Sequence, residues 1–450
     1  MAHSSVGVLA VFTLLLFPSA CSTVSTMQST GSHQPTSAIE AYLRPVADVN
    51  DFSGVVRVEK GGKLVTELRF GYADWENQTP HNADTRFGAG SITKSMTASL
   101  VLLLEEDGLI ARNDRLSVFL PMYTQANEIT VAQVLEHTAG LPRDLPPSAR
   151  EMPDFDLLSW LNEQPLQSQP GEEYSYSNIG YDILAMICEA VSGKSYAKLV
   201  DEYLLDPLDL RASSIETHVE NAPNAAKGYQ PGPLPLDVQS ADFPLAMTQG
   251  SEGLVASPAD LITWARAVLS KQSAHLFEAD GSFIGSVRVN EQAGRTVYRL
   301  QGTTPGYGSA VLMGPSDDLY IAFGSNLETY SLLGLERVLF EIAISNDTGG
   351  ARVRKPTTVL EDTHRDLVGT YQHPRFGPVD IEERLNGLYL LVRSTGWKFY
   401  LSPTADGELV FRFFNTRIFR DENGTVKAEQ SLLGAEPETF DLAPLGDSAW

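Results

Sequence analysis

The sequence predicts a mixed α/β (α+β) protein: an antiparallel sheet flanked by helices, a helical subdomain, and then a small all-β barrel-like domain. Strand-like runs lie at both ends of the region 52–344, and helical patterns fill its middle. After residue 350, Asn386-Gly387, Asp406-Gly407 and Asn423-Gly424 recur at regular spacing among β-rich runs. Such pairs favour two-residue hairpins, so the C-terminal region is predicted to be a β meander.

Hydrophobic periodicity and the positions of glycine predict the helices and strands of the first region. Gly61-Gly62 separates two strand-like runs and predicts a hairpin. A helix is predicted from Ser91 to Glu106, with Gly108 at its end. Further helices are predicted over 131–137, 178–191, 258–269 and 332–344, and further strands over 296–300, 308–313 and 319–324. If the distant strands form one sheet, a cleft between the sheet and the inserted helices is the natural site.

The chain divides by composition into four parts. Residues 1–20 are predicted to be a signal peptide, 21–37 a flexible tether, 38–350 the first domain and 354–450 the β domain. The tether is rich in Ser, Thr and Gln. No later segment approaches the length and hydrophobicity of a membrane span.

The N-terminal segment predicts export. An apolar run from Val6 to Phe17 is too short to span a bilayer, and Pro18-Ser19-Ala20 and then Cys21 follow it. This order resembles a bacterial lipobox, in which the cysteine is lipidated after cleavage. The alternative is ordinary cleavage near Ala20, which leaves Cys21 unmodified. We expect an exported protein of the bacterial cell envelope, periplasmic and anchored to the membrane through Cys21 only.

Composition narrows the possible partners. The formal net charge of the 450 residues is −24, and no basic patch stands out, so a nucleic-acid partner is not expected. There are two cysteines, Cys21 and Cys188, which cannot form a disulfide framework. The eight histidines show no H-E-x-x-H pattern and no zinc spacing with cysteine. We therefore predict no metal and no cofactor.

Two S-x-x-K patterns are candidates for nucleophilic chemistry: Ser91 with Lys94, and Ser195 with Lys198. Residues three apart share a helix face, so a lysine there can take the proton of the serine. The first pair follows Gly88-Ala89-Gly90 and precedes an apolar helix, which favours close substrate approach and a desolvated lysine. The second pair follows Gly193 and is predicted to begin the next helix.

Tyr176-Ser177-Asn178 is the only Tyr-x-Asn in the sequence. A phenol beside a lysine can move protons, and an asparagine amide can hold a substrate carbonyl. Taken alone, a tyrosine at this position is more often a buried aromatic of the core than a catalytic residue.

With their flanks, these motifs resemble in order the signature blocks of the class C β-lactamase-like serine hydrolases, which include β-lactamases, D,D-carboxypeptidases, D-aminopeptidases and esterases. The resemblance covers about residues 52–344. The blocks are Phe87-x-x-x-Ser91-x-Thr93-Lys94, Thr130-Val131-x-x-Val134-Leu135-x-His137-Thr138-x-Gly140-Leu141, Pro170-Gly171-x-x-Tyr174-x-Tyr176-Ser177-Asn178-x-Gly180-Tyr181, Ser192-Gly193, Asp206-Pro207-Leu208 and Gly253-Leu254-x-x-Ser257-Pro258-x-Asp260-Leu261.

The resemblance implies a β-lactamase/transpeptidase-like fold and a set of roles. Ser91 would attack the carbonyl of a small-molecule or peptide ester or amide, Lys94 and Tyr176 would move protons, and Asn178 would orient the substrate. Water would then release the acyl group. His137 lies in a block that is interpreted as structural. The C-terminal region around 367–371 resembles the lipocalin-like domain often appended to this family.

The third family motif departs from its usual Lys-Thr-Gly or His-x-Gly. Here it reads Leu300-Gln301-Gly302-Thr303, so its first position carries no charge. By the resemblance, Leu300 and Gly302 line the substrate site, and the N–H of Thr303 completes an oxyanion hole with that of Ser91. The change at Leu300 predicts an esterase-like enzyme rather than a strong β-lactamase. Arg299 should point away from the cleft, unless a twisted or bulged strand lets it supply the missing charge.

The sequence lacks the signatures of two other classes of serine hydrolase. An α/β-hydrolase would need a G-x-S-x-G elbow, which the sequence does not contain. A class A mechanism would need a loop bearing a glutamate, and none is identified. The competing hypothesis from another class is a non-catalytic sensor or binding protein with a degraded pocket, motivated by Leu300.

Overall fold

A computed structural model describes residues 35–445 except 49, 147–148, 150–151, 153–154, 232–237, 242–243, 246–247, 271–286, 330–331, 333–334, 346–356, 358, 385–386, 395, 412–415 and 431–437. The predicted signal peptide, most of the tether and Cys21 lie outside the described residues. Among the helices that are described, none combines the length and the hydrophobicity needed to cross a bilayer.

The first region alternates short strands and helices around one larger sheet. Its helices are α1 (Pro35–Asp48), α2 (Thr93–Glu106), α3 (Val131–Leu135), α4 (Leu157–Leu161), α5 (Asn178–Ser192), α6 (Tyr196–Val200), α7 (Gln249–Glu252), α8 (Pro258–Val268) and α9 (Leu335–Ser345). Its strands are β1 (Gly54–Lys60), β2 (Lys63–Phe70), β3 (Tyr72–Asp74), β4 (Thr79–Pro80), β5 (Phe87–Gly88), β6 (Ser213–Ile215), β7 (Tyr229–Pro231), β8 (Val238–Ser240), β9 (Leu254–Ala256), β10 (Arg288–Gln292), β11 (Arg295–Thr304), β12 (Tyr307–Gly314) and β13 (Leu319–Ser325).

The main sheet joins the two ends of this region. Its strand order is β10-β11-β12-β13-β1-β2, and every neighbouring pair is antiparallel. β1 pairs with β13, so the first hairpin closes onto strands more than 200 residues later. The predicted antiparallel sheet built from distant segments is therefore confirmed.

Both faces of the sheet are covered, which explains why every residue of β12 is buried. Val311 and Met313 belong to the large hydrophobic cluster that contains α2 and α5. Ala310 and Leu312 point to the other face and belong to the cluster with α1 and α9. This alternation is the two-residue period of a strand. The face that packs against α2 is therefore the one next to the helix that carries Lys94.

Local signals set the ends of the helices. Ser177 caps α5 by accepting the N–H of Gly180, and Gly193 ends it in the left-handed conformation with φ 69°. The helix predicted over 131–137 ends earlier, at Leu135, because His137 adopts φ 58°. The predicted helix 332–344 begins at Leu335.

The C-terminal region contains a short helix, α10 (Asp362–Arg365), and one nine-stranded antiparallel sheet. Its strands are β14 (Gly369–His373), β15 (Gly377–Arg384), β16 (Gly387–Val392), β17 (Trp397–Pro403), β18 (Leu409–Phe411), β19 (Thr416–Arg420), β20 (Val426–Gln430), β21 (Glu438–Asp441) and β22 (Ala443–Pro444). β21 and β22 follow one another in the chain, yet β21 pairs with β20 and β22 with β14, at opposite ends of the strand order. This nearly closes the sheet into a barrel, as the sequence predicted.

Candidate active site

Ser91 lies at the point where strand β5 turns into helix α2. A single 3₁₀ turn, Gly90–Ile92, precedes the α-helix, and Gly90 adopts φ 49°. β5 pairs with β9, and the Ala89 N–H donates to the Leu254 carbonyl at 2.8 Å, so the chain enters the turn from an anchored strand. Ser91 keeps partial solvent exposure.

Two side chains donate hydrogen bonds to the Ser91 hydroxyl oxygen. Nζ of Lys94 lies 3.0 Å from Oγ of Ser91, and the hydroxyl of Tyr176 lies 2.8 Å from the same atom. Lys94 is fully buried, and its Nζ also lies 5.1 Å from the centre of the Tyr176 ring. The structure therefore brings together the three residues that the sequence proposed, in hydrogen-bonding contact.

His137 holds the Tyr176 loop. The His137 ring stacks on the Tyr176 ring with centroids 4.5 Å apart, and its Nδ1 accepts the N–H of Ser177 at 3.1 Å. Burial, followed by the charges of Lys94 and Arg143, lowers the pKa of His137 from 6.5 to about 3. A neutral ring that accepts through Nδ1 supports the loop, in agreement with a structural role for this residue.

Lys94 has a second partner on α7. Its Nζ donates to the backbone carbonyl of Ser251 at 2.9 Å. Asp182, on α5 and fully buried, accepts hydrogen bonds from both the N–H and the hydroxyl of Ser251. Burial raises the pKa of Asp182 well above its ordinary value, while the charge of Lys94 opposes the shift. Nζ of Lys94 is thus directed at Ser91 by a buried network.

Ser91 and Thr303 are placed to stabilise an oxyanion. The Ser91 N–H lies at the start of a helix, where amides have no intrahelical partner. Pro305-Gly306 is the two-residue turn that joins β11 to β12, so the pair next to it, Thr304 and Tyr307, is expected to be hydrogen-bonded. Hydrogen-bonded and non-hydrogen-bonded pairs alternate along an antiparallel ladder, so the N–H of Thr303, in the next pair, points away from β12. Gly302 lets β11 pack closely against the turn that carries Ser91, because a Cβ at Gly302 would overlap the Ala89 carbonyl oxygen and the Ser91 nitrogen. An oxyanion hole needs two free amides of this kind, and these two are the pair that the sequence predicted.

The structure departs from the sequence prediction at Leu300. Its side chain is on the same face as Gly302 but is fully buried in the hydrophobic cluster that also contains Ile92 and Met96. It therefore shapes the floor beneath the cleft instead of lining it, because an apolar side chain gains more by packing than by contact with water. Arg299 points to the opposite face, where its Nη1 pairs with the buried Glu336 at 3.0 Å. No bulge turns Arg299 into the cleft.

Asn178 begins α5, two residues after Tyr176. Its Nδ2 donates to the carboxylate of Asp144, and its N–H donates to the Arg143 carbonyl at 2.8 Å. Its side-chain oxygen is buried and has no partner within the described part of the chain. The amide nitrogen of Asn178 is thus engaged by Asp144, and its oxygen keeps an unused acceptor position.

Several residues of the site were not predicted from the sequence. Asp182 and Ser251 position Lys94, and Arg143 lies over the Tyr176 ring with Cζ 5.1 Å from its centre. The sequence could have indicated a role for Asp182, because a carboxylate within an otherwise apolar helix must have hydrogen-bonding partners when it is buried. Arg143 carried none, because a loop arginine is ordinarily only a solvated surface charge.

Other candidate residues lie apart from the site. Ser195 caps α6 by accepting the N–H of Lys198, as predicted. Cys188 is buried within α5, and burial raises the pKa of its thiol to about 12. Among the described residues, no group of three or more His, Cys, Asp or Glu side chains is arranged to hold a metal ion.

Comparison with known proteins places this geometry in context. A family model described as Beta-lactamase matches residues 39–337. Protein flp of Staphylococcus aureus (strain MRSA252) is 27% identical over 300 residues, which cover 61% of this chain and 59% of that protein. The chain thus spans about three fifths of the length of that relative.

Two solved structures share the fold. The D-amino acid amidase from Ochrobactrum anthropi SV3, complexed with L-phenylalanine amide, is 21% identical with a TM-score of 0.59, covering 69% of this chain and 98% of that one. The octameric penicillin-binding protein homologue from Pyrococcus abyssi is 20% identical with a TM-score of 0.57, covering 90% of this chain and 99% of that one. The second match extends beyond residues 39–337 into the C-terminal region. Identities at this level establish the fold alone.

Proposed function

The chain belongs to the β-lactamase family, and from that membership and the site geometry we propose that it is a serine hydrolase that cleaves an ester or amide through an acyl-enzyme at Ser91. One observation carries the proposal: Oγ of Ser91 accepts hydrogen bonds from Lys94 and Tyr176 at 3.0 and 2.8 Å. A serine so placed can lose its proton as it attacks.

The reaction follows from these contacts. Oγ of Ser91 bonds to the substrate carbonyl carbon while its proton passes to the unprotonated member of the pair, the neutral amine of Lys94 or the phenolate of Tyr176, and the carbonyl oxygen becomes an oxyanion held by the Ser91 and Thr303 amides. The proton moves to the leaving oxygen or nitrogen as its bond to carbon breaks. Water, deprotonated by the same pair, then attacks the acyl carbon, and Ser91 regains its proton.

Activity-based labelling tests this proposal. Wild type should form a covalent adduct at Ser91 with a fluorophosphonate or a fluorescent penicillin, read by mass spectrometry of the active-site peptide. Ser91→Ala should not be labelled. Ser195→Ala is the matched control, since it belongs to the other S-x-x-K pair and only caps a helix. Lack of any adduct in wild type would favour the non-catalytic binding protein.

The substrate class follows from position 300. A Lys or His there, as the family motif usually has, favours a substrate carboxylate through a charge-assisted bond of about 1.5–3 kcal/mol. Leu300 is buried and uncharged, and Arg299 is held by Glu336 on the other face. We propose an esterase-like or amidase-like enzyme with poor turnover of penicillins and D-Ala-D-Ala peptides, which carry a carboxylate beside the scissile bond.

Comparing a neutral p-nitrophenyl ester with a chromogenic cephalosporin tests this class. The neutral ester should be turned over with the higher kcat/KM. Leu300→Lys should shift the preference towards the cephalosporin at a cost in stability, because the new ammonium starts in an apolar cluster. Efficient cephalosporin hydrolysis by wild type would contradict the argument.

Export and anchoring are proposed separately, from the N-terminal sequence. The apolar run, the small residues before Cys21 and the polar tether support a lipoprotein of the cell envelope. Membrane fractionation and mass spectrometry of the mature N-terminus test it. A soluble protein that starts with unmodified Cys21 would contradict the anchor and leave export intact.

A further inference from the structure

A cation lies at the mouth of the cleft on the helical side. The guanidinium of Arg143 is 5.1 Å from the centre of the Tyr176 ring, and its side chain is 68% exposed. It is therefore within reach of both solvent and the residue that donates to Ser91. Leu300 is uncharged, Arg299 is paired with Glu336 on the other face of the sheet, and Lys94, which also lies beside Tyr176, is buried, so Arg143 is the exposed basic side chain next to Tyr176.

The position of Arg143 is fixed by the start of α5. Its backbone carbonyl accepts the N–H of Asn178 at 2.8 Å, and the neighbouring Asp144 carboxylate accepts Nδ2 of Asn178. Asp144 also pairs with Nε of Arg143 at 3.2 Å. One edge of the guanidinium is thus held, while its terminal Nη atoms have no ion-pair partner within the described part of the chain. A fork of this kind binds a carboxylate through two hydrogen bonds.

Because the protein as a whole is strongly acidic, binding of an anionic substrate requires a positively charged side chain close to its binding site. The chain carries a net charge of −24, which repels anions at long range. Partial burial raises the pKa of Tyr174, which lies at the same mouth, and the charges of Arg288 and Arg143 oppose that shift. Arg143 and Arg288 are therefore both close enough to Tyr174 to act on its phenol.

The side of the substrate that meets Arg143 follows from the direction of proton transfer. Lys94 is fully buried, whereas Tyr176 is half-buried and reaches the open cleft. Tyr176 is thus the group that can hand the proton to a departing oxygen or nitrogen. The leaving group must pass beside its ring, where Arg143 lies.

We propose that Arg143 recognises a carboxylate on the leaving group of the substrate. The inference rests on the proposed serine hydrolase function and deepens it. The anion lies beyond the Tyr176 ring at the outer end of the cleft, not beside the scissile bond, which is compatible with the uncharged position 300.

A matched pair of esters tests the proposal: 4-acetoxybenzoate, with an anionic leaving group, and its neutral methyl ester. The quantity compared is the kcat/KM for the anionic ester divided by the kcat/KM for the neutral ester. Comparing this ratio between a variant and wild type cancels the difference in intrinsic reactivity of the two esters. Arg143→Gln should lower the ratio about three- to tenfold, as expected for a charged hydrogen bond weakened by solvent. Arg143→Lys should restore part of it. Raising the ionic strength should reduce the wild-type preference for the anion.

Arg211→Gln is the control, because Arg211 is equally exposed but pairs with Asp206 and Asp209 away from the site. It should leave the ratio unchanged. If Arg143→Gln slows both esters equally, Arg143 acts only through Tyr176 and the proposal is overturned. If neither ester is turned over and no probe labels Ser91, the proposed function itself fails, which is a different result.

Discussion

The carboxylate of Asp182 holds Ser251 at two points: Oδ1 accepts the Ser251 N–H at 3.0 Å, and Oδ2 accepts the Ser251 hydroxyl at 3.1 Å. The Ser251 carbonyl accepts Nζ of Lys94 at 2.9 Å. None of these three residues is adjacent to another in the sequence. A buried acid that does not face the cleft thus fixes the direction of the lysine that faces Ser91.

Asp182→Ala should lower kcat by about tenfold or more with little change in KM, because it frees Lys94 without altering the substrate surface. It should also destabilise the protein by about 1–3 kcal/mol, since two buried donors lose their acceptor. Asp182→Asn should recover much of both, because its side-chain oxygen can still accept the Ser251 N–H. Steady-state kinetics and urea unfolding measure the two effects. An Asp182→Ala enzyme with normal kcat would show that Ser251 needs no such support.

Lys94→Ala and Tyr176→Phe should each reduce kcat/KM by about 10²-fold or more, the contribution typical of a positioned proton-transfer group. Both touch Oγ of Ser91, so the double variant should lose far less than the product of the single losses. Lys198→Ala is the matched control from the second S-x-x-K pair and should retain activity. Fully multiplicative losses would mean that the two residues act independently.

Gly302→Ala should abolish most activity, because the new Cβ would overlap the Ala89 carbonyl oxygen and the Ser91 nitrogen and force the oxyanion hole apart. Gly294→Ala, in the turn between β10 and β11, is the control. Gly294 adopts φ 71° with open space around its Cβ position, so alanine there costs about 1 kcal/mol of strain and no activity. Acylation rate and thermal unfolding separate the two variants. Normal acylation by Gly302→Ala would contradict the assigned oxyanion hole.

The unfolding free energy should fall as the pH drops from about 6.5 towards 3, with His137 as one cause. Burial lowers its folded pKa to about 3, whereas the unfolded chain takes up the proton near 6.5. The stability due to neutral His137 is therefore present above 6.5 and is lost as the pH falls towards 3. His137→Asn, which tolerates the left-handed φ and does not titrate, should flatten this dependence. Urea unfolding midpoints of both proteins across this pH range measure the dependence. If stability varies with pH in His137→Asn as it does in wild type, His137 titrates normally in the folded protein.

Deletion of residues 354–450 should leave labelling of Ser91 intact. The hydrogen bonds to Ser91 come from Lys94 and Tyr176, and the barrel has its own apolar cluster, which includes Val379, Leu390 and Leu401. Limited proteolysis followed by fluorophosphonate labelling of the 38–350 fragment checks this. If that fragment fails to fold, the barrel is part of the core of the first domain.

The sequence by itself determined the features that depend on near neighbours. The spacing of Ser91 and Lys94 brings the two side chains together where the 3₁₀ turn Gly90–Ile92 runs into α2, Ser177 and Gly193 bound α5, and Gly61-Gly62 specifies the first hairpin. These are set within a few residues by hydrogen bonding and backbone sterics, so a single sequence suffices. Beyond these local features, the order of the motif blocks predicted the fold of the first region through its resemblance to a known family.

Only the tertiary structure decided which side chains meet across long separations. Tyr176 reaches Ser91 from 85 positions away, and Ser251 reaches Lys94 from 157. The same packing buried Leu300, which the motif pattern placed in the cleft, and set Arg143 over Tyr176, which no motif indicated. Strand and helix periodicity gives the face on which a residue lies, but its exposure depends on how the opposing layer fills the space, and that is a property of the whole core.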